Sequence, residues 1–173
     1  MSSEDIRNAI ESARQYLSGH PEECRYTDSA ATAIVESGLR CRVEGPDGAV
    51  VVSDMPSAVG GAGSAPSPGW LSRAALASCD ATLIAMRAAE LGIELRELAV
   101  TVDSESDDRG LLAMDDEVPA GPFSVRVQVR AVADVDEAQL RELVVWAERH
   151  SPVGDATRRA VPTTVDVHVE PAT

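Results

Sequence analysis

Cys79 lies in the stretch Ala74-Ala75-Leu76-Ala77-Ser78-Cys79-Asp80-Ala81, where one thiol and one carboxylate interrupt small apolar residues. A thiol does nucleophilic and redox work as its thiolate. Among alanines, a cysteine is more often a small core hydrophobe. Burial opposes the charged sulfur, and so does a carboxylate next to it, so a reactive Cys79 calls for a facing cation. All fifteen cations of the chain are arginines, and Arg40 and Arg42 share one face of a short alternating segment. These two are the candidates to activate Cys79. Cys41, between them, is a candidate resolving thiol.

Other constellations fall short of a site. His20-Pro21-Glu22-Glu23-Cys24 offers one imidazole and one thiol, too few ligands for a structural zinc, and reads as a loop after a helix. The acidic stretch from Asp103 to Glu117 lacks the glycine and the ligand spacing of a calcium loop and reads as a solvated loop. Ser78, His150 and Ser151 make no hydrolase triad, because no G-x-S-x-G elbow presents a serine. The residues call for no metal and no cofactor.

The elements that must position Cys79 follow from periodicity. Ile6, Ile10, Ala13 and Leu17 form one helical stripe over Ser3 to Ser18, with Ser2 and Asp5 as a capping box. Between Ala30 and Met55 the pattern is that of strands, with Gly45-Pro46-Asp47-Gly48 as the turn of a hairpin or meander. Ser67-Pro68 reads as the start of a helix running to Leu91, with Gly92 as its left-handed stop. That helix is apolar on nearly every side, which predicts burial all round. Leu98, Val100 and Val102 predict a strand, and Phe123 to Ala131 alternates cleanly enough to predict one wet face and one dry face. Asp134 or Asp136 caps a helix ending near Ser151, and Val165, Val167 and Val169 predict a final strand. The order predicts an α+β fold with helices packed on antiparallel sheet. A long helix apolar on all sides needs more cover than one small sheet, which points to a second subunit.

Length and composition bound what this architecture does. A length of 173 residues suggests one domain, with room for two only if both are minimal, and 44% apolar with 25% charged residues is an ordinary globular balance. A net charge of −14 with five aromatic residues argues against nucleic acid and against an anionic membrane surface. The most apolar window, Trp70 to Leu91, carries Arg73, Asp80, Arg87 and Glu90, too much charge for a bilayer span. Three cysteines form no disulfide framework, so a cytoplasmic location is the expectation.

Two segments carry a family resemblance. Gly60-Gly61-Ala62-Gly63-Ser64-Ala65-Pro66-Ser67-Pro68-Gly69-Trp70-Leu71-Ser72-Arg73-Ala74-Ala75-Leu76-Ala77-Ser78-Cys79 resembles the Gly-rich loop, Pro-containing helix start and Cys-bearing helix of the OsmC/Ohr family (osmotically inducible protein C and the organic hydroperoxide resistance proteins). His150-Ser151-Pro152-Val153-Gly154-Asp155-Ala156 is similar to its second signature, a Cys-Pro-Val stretch. The match covers roughly Ala30 to Glu170, so residues 1–29 read as a helical extension and 30–173 as the OsmC-like domain.

The resemblance implies an intertwined homodimer, with antiparallel sheets wrapped around long central helices. It also implies a peroxidatic cysteine at Cys79, held as thiolate by an arginine. Three departures stand out. Ser151 occupies the place of the resolving cysteine; Pro68-Gly69-Trp70 replaces a Pro-Glu-Glu-like start; and no motif places the arginine, leaving Arg40 and Arg42 as candidates. The expectation is therefore a one-cysteine organic hydroperoxide reductase that uses an external thiol reductant. The alternative is a non-catalytic dimer binding an apolar small molecule.

Overall fold

The computed structural model describes residues 2–171. Helix α1 (Ser3–Gly19) leads to a three-stranded antiparallel sheet in the order β1 (Thr32–Ser37), β2 (Arg40–Glu44) and β3 (Val50–Ser53). Helix α2 (Pro68–Leu91) follows, then β4 (Leu95–Glu105), the short α3 (Asp108–Leu111), β5 (Ser124–Ala133), α4 (Glu137–His150) and α5 (Pro152–Arg158). Strands β4 and β5 pair antiparallel in a second sheet. This is the expected α+β arrangement.

Local chemistry sets the element ends. Ser2 and Asp5 form the reciprocal capping box of α1, and Asp136, not Asp134, caps α4 with Gln139. The Ser67 hydroxyl accepts from the Trp70 N–H, with Pro68 at the first helical position. At the far end Gly92 has φ 70°, and the Gly92 and Ile93 N–H groups donate to the carbonyls of Ala89 and Ala88, which makes a Schellman stop. The β2–β3 turn places Asp47 and Gly48 at φ 54° and 76°, which Asp and Gly tolerate.

The core is built where α2 and α4 meet the β4–β5 sheet. Ile84, Ala88, Leu143 and Ala147 are buried together, backed by Leu98, Val100 and Val129 from the sheet. The register Val100↔Val129 and Val102↔Val127 puts the alternating apolar residues on the helix side. The opposite face pairs Asp103 with Arg126 at 2.9 Å and Glu97 with Arg130 at 2.8 Å, in water. Helix α1 lies against the C-terminal half of α2, where Arg14 and Arg87 both pair with the largely buried Glu90.

Three features differ from the sequence expectations. Val165, Val167 and Val169 form no strand and are 82%, 76% and 85% exposed, since alternation makes a strand only where a sheet edge receives it. Helix α2 is buried along one stripe (Leu76, Asp80, Ile84, Ala88) plus Ala89, while Ala75, Ser78 and Thr82 face outward in the single chain. The β1–β3 sheet packs chiefly on itself, and strand register gathers Ala33, Val35, Cys41, Val43 and Val51 on one face. Among the described residues, no helix is long and apolar enough to cross a membrane.

Candidate active site

Cys79 sits on the fourth turn of α2, and the side chain it meets comes from 72 residues further along the chain. Ser151 follows the last residue of α4 and caps α5. Pro152 forces the chain out of α4 and starts the next helix at its first position. The Ser151 hydroxyl donates to Cys79 Sγ at 3.2 Å and accepts from the Gly154 N–H at 3.1 Å. Ser151 has no solvent exposure. A hydroxyl carries one proton and, with its acceptor side engaged by Gly154, directs that proton at the sulfur. A Cβ at Gly154 would lie 3.0 Å from Ser151 Oγ and 3.0 Å from an Arg158 nitrogen, a tight approach that those side chains would have to yield to by a few tenths of an ångström.

The arginines named from sequence sit elsewhere in the single chain. Arg40 donates to Ser64 Oγ at 2.8 Å and pairs with Glu36, while Arg42 pairs with Glu36 and Glu44. The Glu44 carboxylate, and Glu36 behind it, hold the Arg42 guanidinium more firmly protonated than usual. Neither arginine is bonded to Cys79 among the described residues. Cys41 points its thiol toward the Leu39 carbonyl, Cys24 is exposed, and all three cysteines are free.

Asp54 is a positioning residue that sequence reasoning missed. It is 1% exposed and organises the Gly-rich loop that leads into α2. The Ser64 N–H and hydroxyl donate to Oδ2 at 3.0 and 2.8 Å, and the Met55 N–H donates to Oδ1 at 2.8 Å. The Ser64 N–H first, and its hydroxyl second, pull the Asp54 carboxyl below the ordinary carboxylate range against the opposing effect of burial. Because Ser64 also receives Arg40, one carboxylate ties the loop to β2. Gly61 is indispensable in this turn: a Cβ would fall 1.8 Å from the Met55 carbonyl oxygen.

Next to Cys79, Asp80 is 3% exposed and its Oδ1 has no hydrogen-bond partner among the described residues. An open cleft of about 1060 Å³ runs along the N-terminal half of α2 as far as Leu76, one turn before Cys79. Met55, Leu76, Leu111 and Phe123 give it apolar walls, and Arg73 and Arg158 line it as cations. Arg73 donates to Ser104 Oγ at 3.2 Å and has no carboxylate partner among the described residues. No group of three or more potential metal ligands occurs among the described residues.

Comparison with known proteins gives this geometry a context. Residues 61–166 match a family model described as OsmC-like protein, a span holding both Cys79 and Ser151. No curated protein matches the chain in sequence. Among solved structures, the chain is similar to an OsmC-like protein from Mycoplasma pneumoniae, with a TM-score of 0.67 at 12% identity over 78% of this chain and 89% of that one. It is also similar to an organic hydroperoxide resistance protein from Elizabethkingia anophelis, with a TM-score of 0.59 at 20% identity over 78% and 91%. A third is an organic hydroperoxide resistance protein OsmC, a predicted redox protein, from Legionella pneumophila. Its TM-score is 0.57 at 24% identity, covering 78% of this chain and 91% of that one. At these identities the likeness is one of fold.

Proposed function

The chain belongs to the family of OsmC-like proteins, and from that premise we propose that it reduces organic hydroperoxides through the single cysteine Cys79. The thiolate sulfur attacks the terminal peroxide oxygen, a sulfur–oxygen bond forms and the O–O bond breaks. The peroxide leaves as its alcohol after taking a proton, and the sulfur is oxidised by two electrons to a sulfenic acid. An external thiol condenses with the sulfenic acid, releasing water and leaving a mixed disulfide. A second external thiol then releases reduced Cys79 and carries away the disulfide. Ser151 cannot take the resolving part, because a hydroxyl forms no disulfide. Its proton instead stabilises negative charge on the sulfur.

The observation that carries this reading is the contact of Cys79 Sγ with one fully buried hydroxyl donor, with no other cysteine bonded to it. A second copy of the chain completes the site. The outward apolar face of β1–β3, the unpaired Val165–Val169 segment and the orphan Asp80 oxygen all support a homodimer. In it Arg40, at the start of β2 and held by Ser64 of the Asp54-anchored loop, is the first candidate to approach a sulfur, with Arg42 the second. Residues 1–29 are an extension to the OsmC-like domain, and the three free cysteines fit a reducing, cytoplasmic setting.

The test is cumene hydroperoxide turnover with a small thiol as reductant. One sulfenic acid, trapped by dimedone on Cys79 and absent in Cys79→Ser, supports the proposal. No consumption of peroxide by the reduced protein overturns it. The apolar cleft beside Leu76 favours the second reading, a non-catalytic dimer holding an apolar small molecule, and a ligand co-purifying with an inert Cys79 would select it.

A further inference from the structure

A second cleft, of about 740 Å³, opens between the C-terminal end of α2 and the length of α4, and neither Cys79 nor Ser151 lines it. Its chemistry is the reverse of the rest of the surface. In a chain of net charge −14, it is lined by Arg87, Arg141, Arg149 and His150 against a single lining carboxylate, Glu142. Arg141 is neutralised by Glu137 at 2.7 Å, and Arg87 shares Glu90 with Arg14. Arg149, in the last turn of α4, has no carboxylate partner among the described residues.

The aromatic groups are held in place. The Trp146 and His150 rings stack with centroids 4.1 Å apart and 17° between planes, and the Arg87 guanidinium lies 4.7 Å from the Trp146 ring centre. His150 Nδ1 is engaged by the Trp146 carbonyl at 2.7 Å, and its Nε2 has no hydrogen-bond partner among the described residues. A favourable interaction with the helix C-terminus accounts for Arg149 and His150 being basic. It does not account for Arg87, whose Nε is buried without a hydrogen-bond acceptor among the described residues. Leu91, Ile93 and Val145 supply apolar wall beside the rings.

We infer that this cleft binds a small aryl carboxylate, its carboxylate received by Arg149 with Arg87 behind it, and its ring set against the Trp146–His150 pair. A guanidinium fork matches a carboxylate in two hydrogen bonds, and flat apolar walls suit a ring better than a hydrated inorganic anion. Cys79 is not among the residues that line this cleft, so binding is read without peroxide.

The experiment uses the full chain carrying Trp70→Phe, so that Trp146 is the only fluorophore of its kind, titrated with benzoate. Saturable binding with a Kd below about 1 mM is expected. Arg149→Ala, at an exposed position, should weaken it at least about tenfold with the far-ultraviolet circular dichroism unchanged. Benzamide, the uncharged analogue, should bind at least about tenfold more weakly as well. A non-saturating benzoate titration, an equal Kd in Arg149→Ala, or benzamide or inorganic phosphate binding as tightly as benzoate would each overturn the proposal.

Discussion

Replacing Ser151 by alanine removes the hydroxyl that donates to Cys79 Sγ and changes nothing else in the sequence. A hydrogen bond to a charged group contributes about 1.5–3 kcal/mol, which corresponds to about ten- to a hundredfold in a rate carried by the charged form. Alkylation of Cys79 by iodoacetamide at neutral pH, followed by mass spectrometry of the peptide, should therefore slow by about that factor in Ser151→Ala. Peroxide-dependent oxidation should slow in parallel. The same change deprives the Gly154 N–H of its acceptor in a buried place, costing about 1–3 kcal/mol of stability, so the unfolding midpoint is recorded beside the rate. Ser151→Cys supplies the complementary arm. The present 3.2 Å Sγ–Oγ separation needs only a small closure to reach the ~2.05 Å of a disulfide, and peroxide should convert this variant to an internal disulfide between Cys79 and the introduced thiol. An unchanged alkylation rate in folded Ser151→Ala would refute the assignment of the hydroxyl to the sulfur.

Three further outcomes follow from the packing. Gly61→Ala would drive a methyl into the Met55 carbonyl and should lower the urea midpoint while freeing the Gly-rich loop, seen as faster proteolysis between residues 55 and 66. Leu143→Ala, at a position 1% exposed between α2 and the sheet, should cost about 2–5 kcal/mol by urea unfolding. The Asp107 carboxyl is held down to about 2, first by the Arg109 guanidinium and then by the Arg109 N–H. Because the folded value lies below the ordinary 3.8, Asp107 stabilises the fold above that value and its contribution is lost as pH falls from 3.8 toward 2. The Tm difference between the protein and Asp107→Asn should shrink through that window, measured by thermal melts against pH.

Much of the architecture was legible because its residues face two different environments. The alternation from Phe123 to Ala131 read correctly as a strand from Ser124 on, but its apolar face is only half-buried: Val129 packs against the α2–α4 core, Val127 and Ala131 are partly covered, and Phe123 and Val125 stay exposed. The stops and caps at Ser67, Gly92 and Asp136 are local hydrogen-bonding chemistry, visible without tertiary knowledge. Val165, Val167 and Val169 show the same period and stay unpaired, because periodicity reports a half-dry face and says nothing about which edge supplies it. Helix α5 was invisible: Pro152 after His150 reads as a stop, yet it is also a start. Asp54 carries no sequence mark, since its importance comes from Ser64 being folded back onto it. Cys79 stood out as the one thiol in an apolar helix and Ser151 through a family signature, but the hydrogen bond between them depends on how α5 lies beside α2. Arg40 and Arg42 were legible as one face of a strand, and their destination depends on where the outer sheet lies.

The bare α-carbon at position 154 has a consequence for anyone mapping this chemistry by mutagenesis. A scan confined to polar and ionisable side chains would skip it, yet adding a methyl group there would push directly on the oxygen that faces the sulfur. Two unrelated-looking lesions, one deleting a hydroxyl and one adding a hydrocarbon three residues away, should therefore give the same phenotype.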